Sequence, residues 1–184
     1  MKIAFSGASS TGKTSVSKKI LSRIEKKIPK FRLLNVDARS ILDLFPNKSV
    51  SAIDADIYRL FQSIYVGQKL HAETGEDAFL TERSFLDCLA FWKIHCQQYA
   101  SSSESAVFEN ICTRHARNYD ITFFFPTGLF SVRADGYRNI SQSYHEEFQA
   151  VLLGIFKDQG TMFVDVPAGS VEERSNFVWR TLYG

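Results

Sequence analysis

Cysteine is scarce in this sequence. Its 184 residues hold only Cys88, Cys96 and Cys112, an odd number with no C-x-x-C pair. That spacing excludes a disulfide scaffold and a cysteine-rich zinc site, and it points to buried free thiols in a reducing, cytoplasmic compartment. Charge of one sign is not in excess either: 22 Lys+Arg stand against 20 Asp+Glu, a formal net charge of +2. Such a balance is not the footprint of a nucleic-acid coat or a membrane-surface protein, although it is compatible with an anionic substrate. No apolar run approaches the ~18 residues of a membrane span. The opening MKIAFSG lacks the apolar core and small-residue cleavage site of a signal peptide. The histidines, His71, His95, His115 and His145, lack metal-ligand spacing and read as surface or satisfied core residues. No internal repeat is visible, and the Ser-rich patch at residues 101–105 reads as a short surface loop.

What is present is an ordinary globular composition, 45% hydrophobic. At roughly 100–200 residues per domain the length is that of one domain. A chain of this size buries about 70% of its unfolded surface. Short apolar runs alternate with amphipathic ones. Residues 2–6, 31–36, 78–81, 119–125 and 161–166 read as strands, and residues 13–27, 54–73, 85–99, 107–117, 143–157 and 170–182 as helices. Short strands separated by helices imply an α/β fold, a five-stranded parallel sheet with helices on both faces. Ligands of such a sheet lie at the carboxyl ends of its strands.

The most informative segment is Gly7-Ala8-Ser9-Ser10-Thr11-Gly12-Lys13-Thr14, which matches G-x-x-x-x-G-K-[ST] directly after a predicted strand and at the start of a predicted helix. The glycines permit backbone conformations that side chains resist. Loop N–H groups then converge on a phosphate at a helix N-terminus, where the dipole also favours negative charge. Gly7, Ser9, Ser10, Thr11, Gly12, Lys13, Thr14 and Ser15 are therefore candidate nucleotide-binding residues. Lys13 would reach the β- and γ-phosphates of ATP and Thr14 would ligate Mg²⁺. The fold expectation sharpens to a P-loop NTPase.

Other groups cluster at predicted strand ends. Asp37 and Arg39 follow the second strand. Asp37 reads either as the base for an attacking hydroxyl or as a helix N-cap, and Arg39 either as a contact for an anionic acceptor or as a solvated cation. Glu82 and Arg83 follow the third strand. Glu82 is placed to hold Mg²⁺, directly or through water, and Arg83 to contact the transferring phosphate. Ser84 with Asp87 reads as a helix cap, alongside those roles. After Pro126, a polar, Gly-interrupted stretch carries Arg133 and Arg138. Residues 127–142 would form a lid whose arginines neutralise transition-state charge and exclude water, or else a plain surface loop.

With these segments in this order, the chain resembles the P-loop nucleoside and nucleotide kinases. Within them it looks most like the ribosylnicotinamide-kinase-type domain of the bacterial NAD regulator and related small phage and bacterial ATPases. The Glu82-Arg83-Ser84 triplet is similar to one in deoxyribonucleoside kinases. The resemblance spans residues 2–182. It implies ATP and Mg²⁺ as cofactors, Lys13 and Thr14 on both, Glu82 near the metal, and Asp37 as candidate base. It also implies Arg39 and Arg83 near the acceptor and transferring phosphate, Arg133 or Arg138 as lid arginine, and Tyr58, its helix through Phe61, and Phe85 at the acceptor.

The leading expectation is a phosphotransferase acting on a nucleoside- or nucleotide-like small molecule, as a monomer or homodimer. A kinase acting on a polynucleotide hydroxyl is the weaker reading, because the charge is balanced. A non-transferring NTPase switch is the third. No guanine-reading N-K-x-D occurs, which favours adenine or loose base selection in the donor.

Overall fold

The computed structural model describes residues 1–50, 53–130 and 134–184. Among them lies a five-stranded sheet in the order β2-β3-β1-β4-β5, parallel at every pairing. The strands are β1 (Lys2–Ser6), β2 (Arg32–Leu34), β3 (Phe79–Glu82), β4 (Ile121–Phe124) and β5 (Val164–Asp165). The helices are α1 (Lys13–Ile24), α2 (Ala38–Leu42), α3 (Ala55–Glu73), α4 (Phe85–His95), α5 (Ser102–Ala116), α6 (Gln142–Asp158) and α7 (Val171–Tyr183). No described helix is long and apolar enough to cross a membrane.

The period-two rule of strands sorts the side chains into two cores. Ile3, Phe5, Phe123 and Phe125 share one face with Val16, Ile20 and Ile24 of α1 and Val178 of α7. Phe124 points the other way, into a larger core built on α3 to α6. Helix α4 lies in the middle of that core. Phe85, Leu86, Cys88, Leu89, Ala90 and Trp92 are all buried on it, so it carries no polar face, as expected of a helix packed on every side. Its neighbours are α3, α5 and α6. Cys88, Cys96 and Cys112 are buried free thiols, and burial pushes Cys88 and Cys96 up to about 12.

Two local expectations change. The Ser-rich patch is not a loop: Ser101 accepts a hydrogen bond from the Glu104 N–H and caps α5, whose first turn is the remainder of the patch. Serine caps helices well for the reason it occurs in turns, a short side chain that bonds nearby N–H groups. The second is α2, whose five residues are too few to show a period and which only the cap reading of Asp37 anticipates.

One buried carboxylate fixes the junction of strands and helices on which the site is built. Asp87 is fully buried, and it accepts hydrogen bonds from Ser6 Oγ (2.5 Å), the Gly7 N–H (2.8 Å), the Ser84 N–H (2.7 Å) and Ser84 Oγ (2.7 Å). It thus closes the capping box that starts α4 and ties the end of β1 to it. Replacing Asp87 with alanine leaves buried donors without acceptors, each costing about 1–3 kcal/mol. We expect Asp87→Ala to lose about 3 kcal/mol or more in urea unfolding; a loss under about 1 kcal/mol would contradict this role.

Candidate active site

Residues 7–14 form the loop between β1 and α1, and two glycines set its path. Gly7 has φ 126°, and a Cβ there would lie 2.4 Å from the Phe125 carbonyl oxygen. Gly12 has φ 86°, and a Cβ there would lie 2.7 Å from Nη1 of Arg174. Gly7 admits no side chain without a backbone shift, and at Gly12 a Cβ would displace the Arg174 guanidinium and strain a left-handed backbone. Beneath the loop, Arg174 of α7 is fully buried, donates from Nη1 to the Thr11 carbonyl (2.7 Å) and stacks on Phe125. Sequence reasoning missed this residue, since an arginine inside an amphipathic helix reads as solvent-facing.

Lys13 folds over the loop. Its Nζ donates to the carbonyls of Gly7 (2.8 Å) and Ala8 (2.5 Å) and to Thr11 Oγ1 (3.0 Å). Burial, with the Arg83 guanidinium nearby, pulls the Lys13 ammonium down to about 7. The loop carbonyls therefore hold an ammonium that a phosphate would hold better.

Glu82 ends β3 with its carboxylate against α1. Its Oε2 accepts from Thr14 Oγ1 (2.5 Å) and its Oε1 from Ser17 Oγ (2.6 Å). A hydroxyl and a carboxylate side by side form a hard-oxygen pair that fits Mg²⁺, an ion that keeps several waters and takes its other ligands from phosphates. Thr14 and Glu82 are the residues that would hold it.

Arg83 adopts φ 71°, which is uncommon for a residue with a Cβ. That turn lays its guanidinium along the phosphate loop, with Nη1 donating to the Gly7 carbonyl (3.0 Å) and Nη2 to Ser9 Oγ (2.9 Å). The guanidinium lies over the rings of Phe91 (4.8 Å) and Phe148 (5.7 Å).

Asp37 caps α2. Its Oδ1 accepts from the Arg39 N–H (3.0 Å) and its Oδ2 from Ser40 Oγ (2.6 Å), and the Ser40 bond leads in holding its carboxyl below the ordinary range. The cap reading therefore holds, and it uses two of the about four acceptor positions of a carboxylate. Arg39 is not simply solvated: its Nη2 pairs with Asp135 Oδ2 (2.5 Å) in the 127–142 stretch. Arg138 pairs with the same carboxylate (3.1 Å) and reaches Ser10 Oγ of the phosphate loop (3.3 Å). Arg133 lies outside the described residues.

Most of the expected residues line one cavity of about 660 Å³: Ser9 through Ser15, Asp37, Arg39, Tyr58, Glu82, Arg83 and Arg138. Gly7 supports the loop from behind. Phe85 is a correction. It is buried under Tyr119 (6.2 Å between rings) and Lys69, away from the cavity. Phe85 is the first residue of α4, inside the Ser84–Asp87 capping box, and its side chain turns into the core. The cavity lining instead includes Tyr58, Phe61, Gln62 and Tyr65 of α3, together with Phe91 and Tyr144. Tyr58 and the helix through Phe61 are where the resemblance implies an acceptor contact, whereas Gln62 and Tyr65 carry no such signal in the sequence.

The motif, the sheet order and the position of the loop at the end of the central strand define a P-loop NTPase fold. Residues 2–174 match the model of a family described as an AAA domain, and the chain belongs to that family. No curated protein matches the sequence. Among solved structures, deoxyadenosine kinase from M. mycoides is similar at a TM-score of 0.71 and 15% identity, covering 99% of this chain and 98% of that one. Thymidylate kinase from Ehrlichia chaffeensis is similar at 0.67 and 14% identity, covering 99% and 98%. Thymidylate kinase from Candida albicans is similar at 0.62 and 14% identity, covering 98% and 90%. At these identities the likeness is one of fold.

Lys13 makes a titratable prediction. Above pH 7 the free lysine loses its proton, while a bound triphosphate stabilises the ammonium. Binding then takes up a proton, so ATP affinity falls as pH rises from about 7 to about 9, by up to tenfold per unit. Calorimetric titration at pH 8 in buffers of different ionisation enthalpy should report this uptake, and Lys13→Met should abolish it. Buffer-independent heats in the parent protein would refute the assignment.

Proposed function

We propose that this chain is a Mg²⁺-dependent phosphotransferase that moves the γ-phosphate of ATP to a nucleoside- or nucleotide-like acceptor. The observation that carries this is the second compartment: the phosphate loop and the aromatic wall of α3 share one 660 Å³ cavity. An NTPase that only hydrolyses needs room for a water, whereas a cavity of this size admits a second organic molecule. Neighbours of the same fold are described as deoxyadenosine and thymidylate kinases, which supports the reading.

The residues divide the work by position. The loop N–H groups and Lys13 hold the donor phosphates, and Arg83 and Arg138 bring guanidinium donors to the two sides of the loop. Thr14 and Glu82 would hold Mg²⁺, which when bound neutralises charge on the β- and γ-phosphate oxygens. Asp37 takes the hydroxyl proton as the acceptor oxygen bonds to the γ-phosphorus. The bond from that phosphorus to the β,γ-bridging oxygen breaks, and its electron pair leaves with ADP. Positioning and charge neutralisation carry such a transfer, with little covalent chemistry asked of the protein.

The test is acceptor-dependent ADP release from Mg-ATP across a nucleoside and nucleotide panel. Asp37→Asn separates chemistry from folding, because asparagine caps helices as well as aspartate does. We expect that variant to bind ATP normally and to lose at least about 100-fold in transfer rate. Unchanged transfer would remove Asp37 as the base.

A further inference from the structure

We infer that Arg174 of α7 is a positioning residue for the donor phosphates, acting through the Thr11–Gly12 peptide and taking the bound polyphosphate as its counter-charge. This rests on the ATP-binding half of the phosphotransferase reading above and is independent of the acceptor.

The first observation is a buried cation without a counter-charge. Arg174 is 0% exposed. Among the described residues no carboxylate pairs with its guanidinium, and residues 51, 52 and 131–133 include no Asp or Glu. Its Nε and Nη2 have no hydrogen-bond partner among the described residues, and Nη1 donates to the Thr11 carbonyl (2.7 Å). The rings of Phe125 (4.8 Å) and Phe130 (5.5 Å) lie over it. Burial pulls the guanidinium below its ordinary range. A cation held this way costs stability in the unliganded protein. The anion that offsets it is the one the adjoining loop binds.

The second observation is which peptide the guanidinium holds. The Thr11 carbonyl and the Gly12 N–H belong to one trans peptide unit, so they point in opposite directions. With the carbonyl taken by Arg174, the Gly12 N–H is turned away from it. Gly12 is the N-cap of α1, and the N–H groups at a helix start have no intrahelical partner and sit at the positive end of the dipole. A cation on the carbonyl oxygen also polarises the peptide and strengthens its N–H as a donor. The fit is close, since a Cβ on Gly12 would lie 2.7 Å from Nη1. Phe130 and Gly12 line the cavity and Arg174 does not. The guanidinium therefore acts on phosphate through the loop and not by contact.

The test is calorimetric titration of the full chain with Mg-ATP, Mg-ADP and inorganic tripolyphosphate. We expect Arg174→Met to weaken all three by about tenfold or more, because the charge acts on phosphate. Arg174→Gln keeps an N–H donor for the Thr11 carbonyl and drops the charge. It should also bind all three more weakly than the parent, which keeps the test open where the methionine variant does not fold. Arg174→Lys, which keeps the charge, should bind all three more tightly than Arg174→Gln. An arginine with only a structural role would give a lower melting temperature and unchanged affinity in the folded variants, and that result would overturn the inference. Weakening confined to ATP and ADP, with tripolyphosphate unaffected, would place the guanidinium on the nucleoside and overturn it too. A folded parent that binds none of the three would overturn the ATP-binding reading itself, and this inference with it.

Discussion

The site depends on the buried Asp87 carboxylate. It fixes three things at once: the end of the central strand through Ser6, the entry to the phosphate loop through the Gly7 N–H, and the start of α4 through Ser84. Its only cation is Arg83 at 3.7 Å among the described residues, so neutral donors do most of the compensation. That arrangement is costly to dismantle, because removing the carboxylate strands several donors that have no access to water. It also explains the unusual backbone at Arg83, which sits between the strand end and the capped helix and has little freedom to relax. Loop, guanidinium and helix are thereby set relative to one another before any nucleotide binds, which is the preorganisation that phosphoryl transfer requires.

The electrostatics are local. A net charge of +2 describes the whole chain, yet Lys13, Arg83 and Arg138 converge on one loop. Helix α1 adds its N-terminal dipole at the same place. The cost is visible at Lys13, whose ammonium burial pulls down to about 7. Across the cavity the balance reverses. Asp37 and Asp135 surround Arg39, and Tyr137 bonds Asp43 (2.8 Å), so the 134–139 stretch is joined to the α2 side through polar contacts. The Val50 N–H to Tyr137 carbonyl bond (3.0 Å) closes the same joint. The cationic loop and the paired Arg39 thus lie within one cavity.

Much of this was legible in the sequence, and the parts that were not share a cause. The phosphate loop could be read because its chemistry fixes both residue types and spacing within eight positions. Glu82 and Arg83 followed from a rule of the fold, that groups at strand ends face the ligand. Phe85 was placed at the cavity by the family resemblance, and neither that resemblance nor the Ser84–Asp87 cap shows which way the first residue of the helix turns. Gln62 was hidden inside an apolar stripe, where a lone polar residue has no pattern of its own. Asp135 with Arg39 and Asp87 with Ser6 pair across 96 and 81 residues. Contacts at that range have no period, and only the closed sheet brings their partners together.

The central claim is that phosphate moves to an acceptor and not to water. Phosphorus NMR of Mg-ATP turning over with an accepted nucleoside tests it most directly, because the products carry distinct signals. The account predicts a phosphomonoester appearing in step with ADP, with little inorganic phosphate. ADP accompanied only by inorganic phosphate, whatever nucleoside is present, would contradict it.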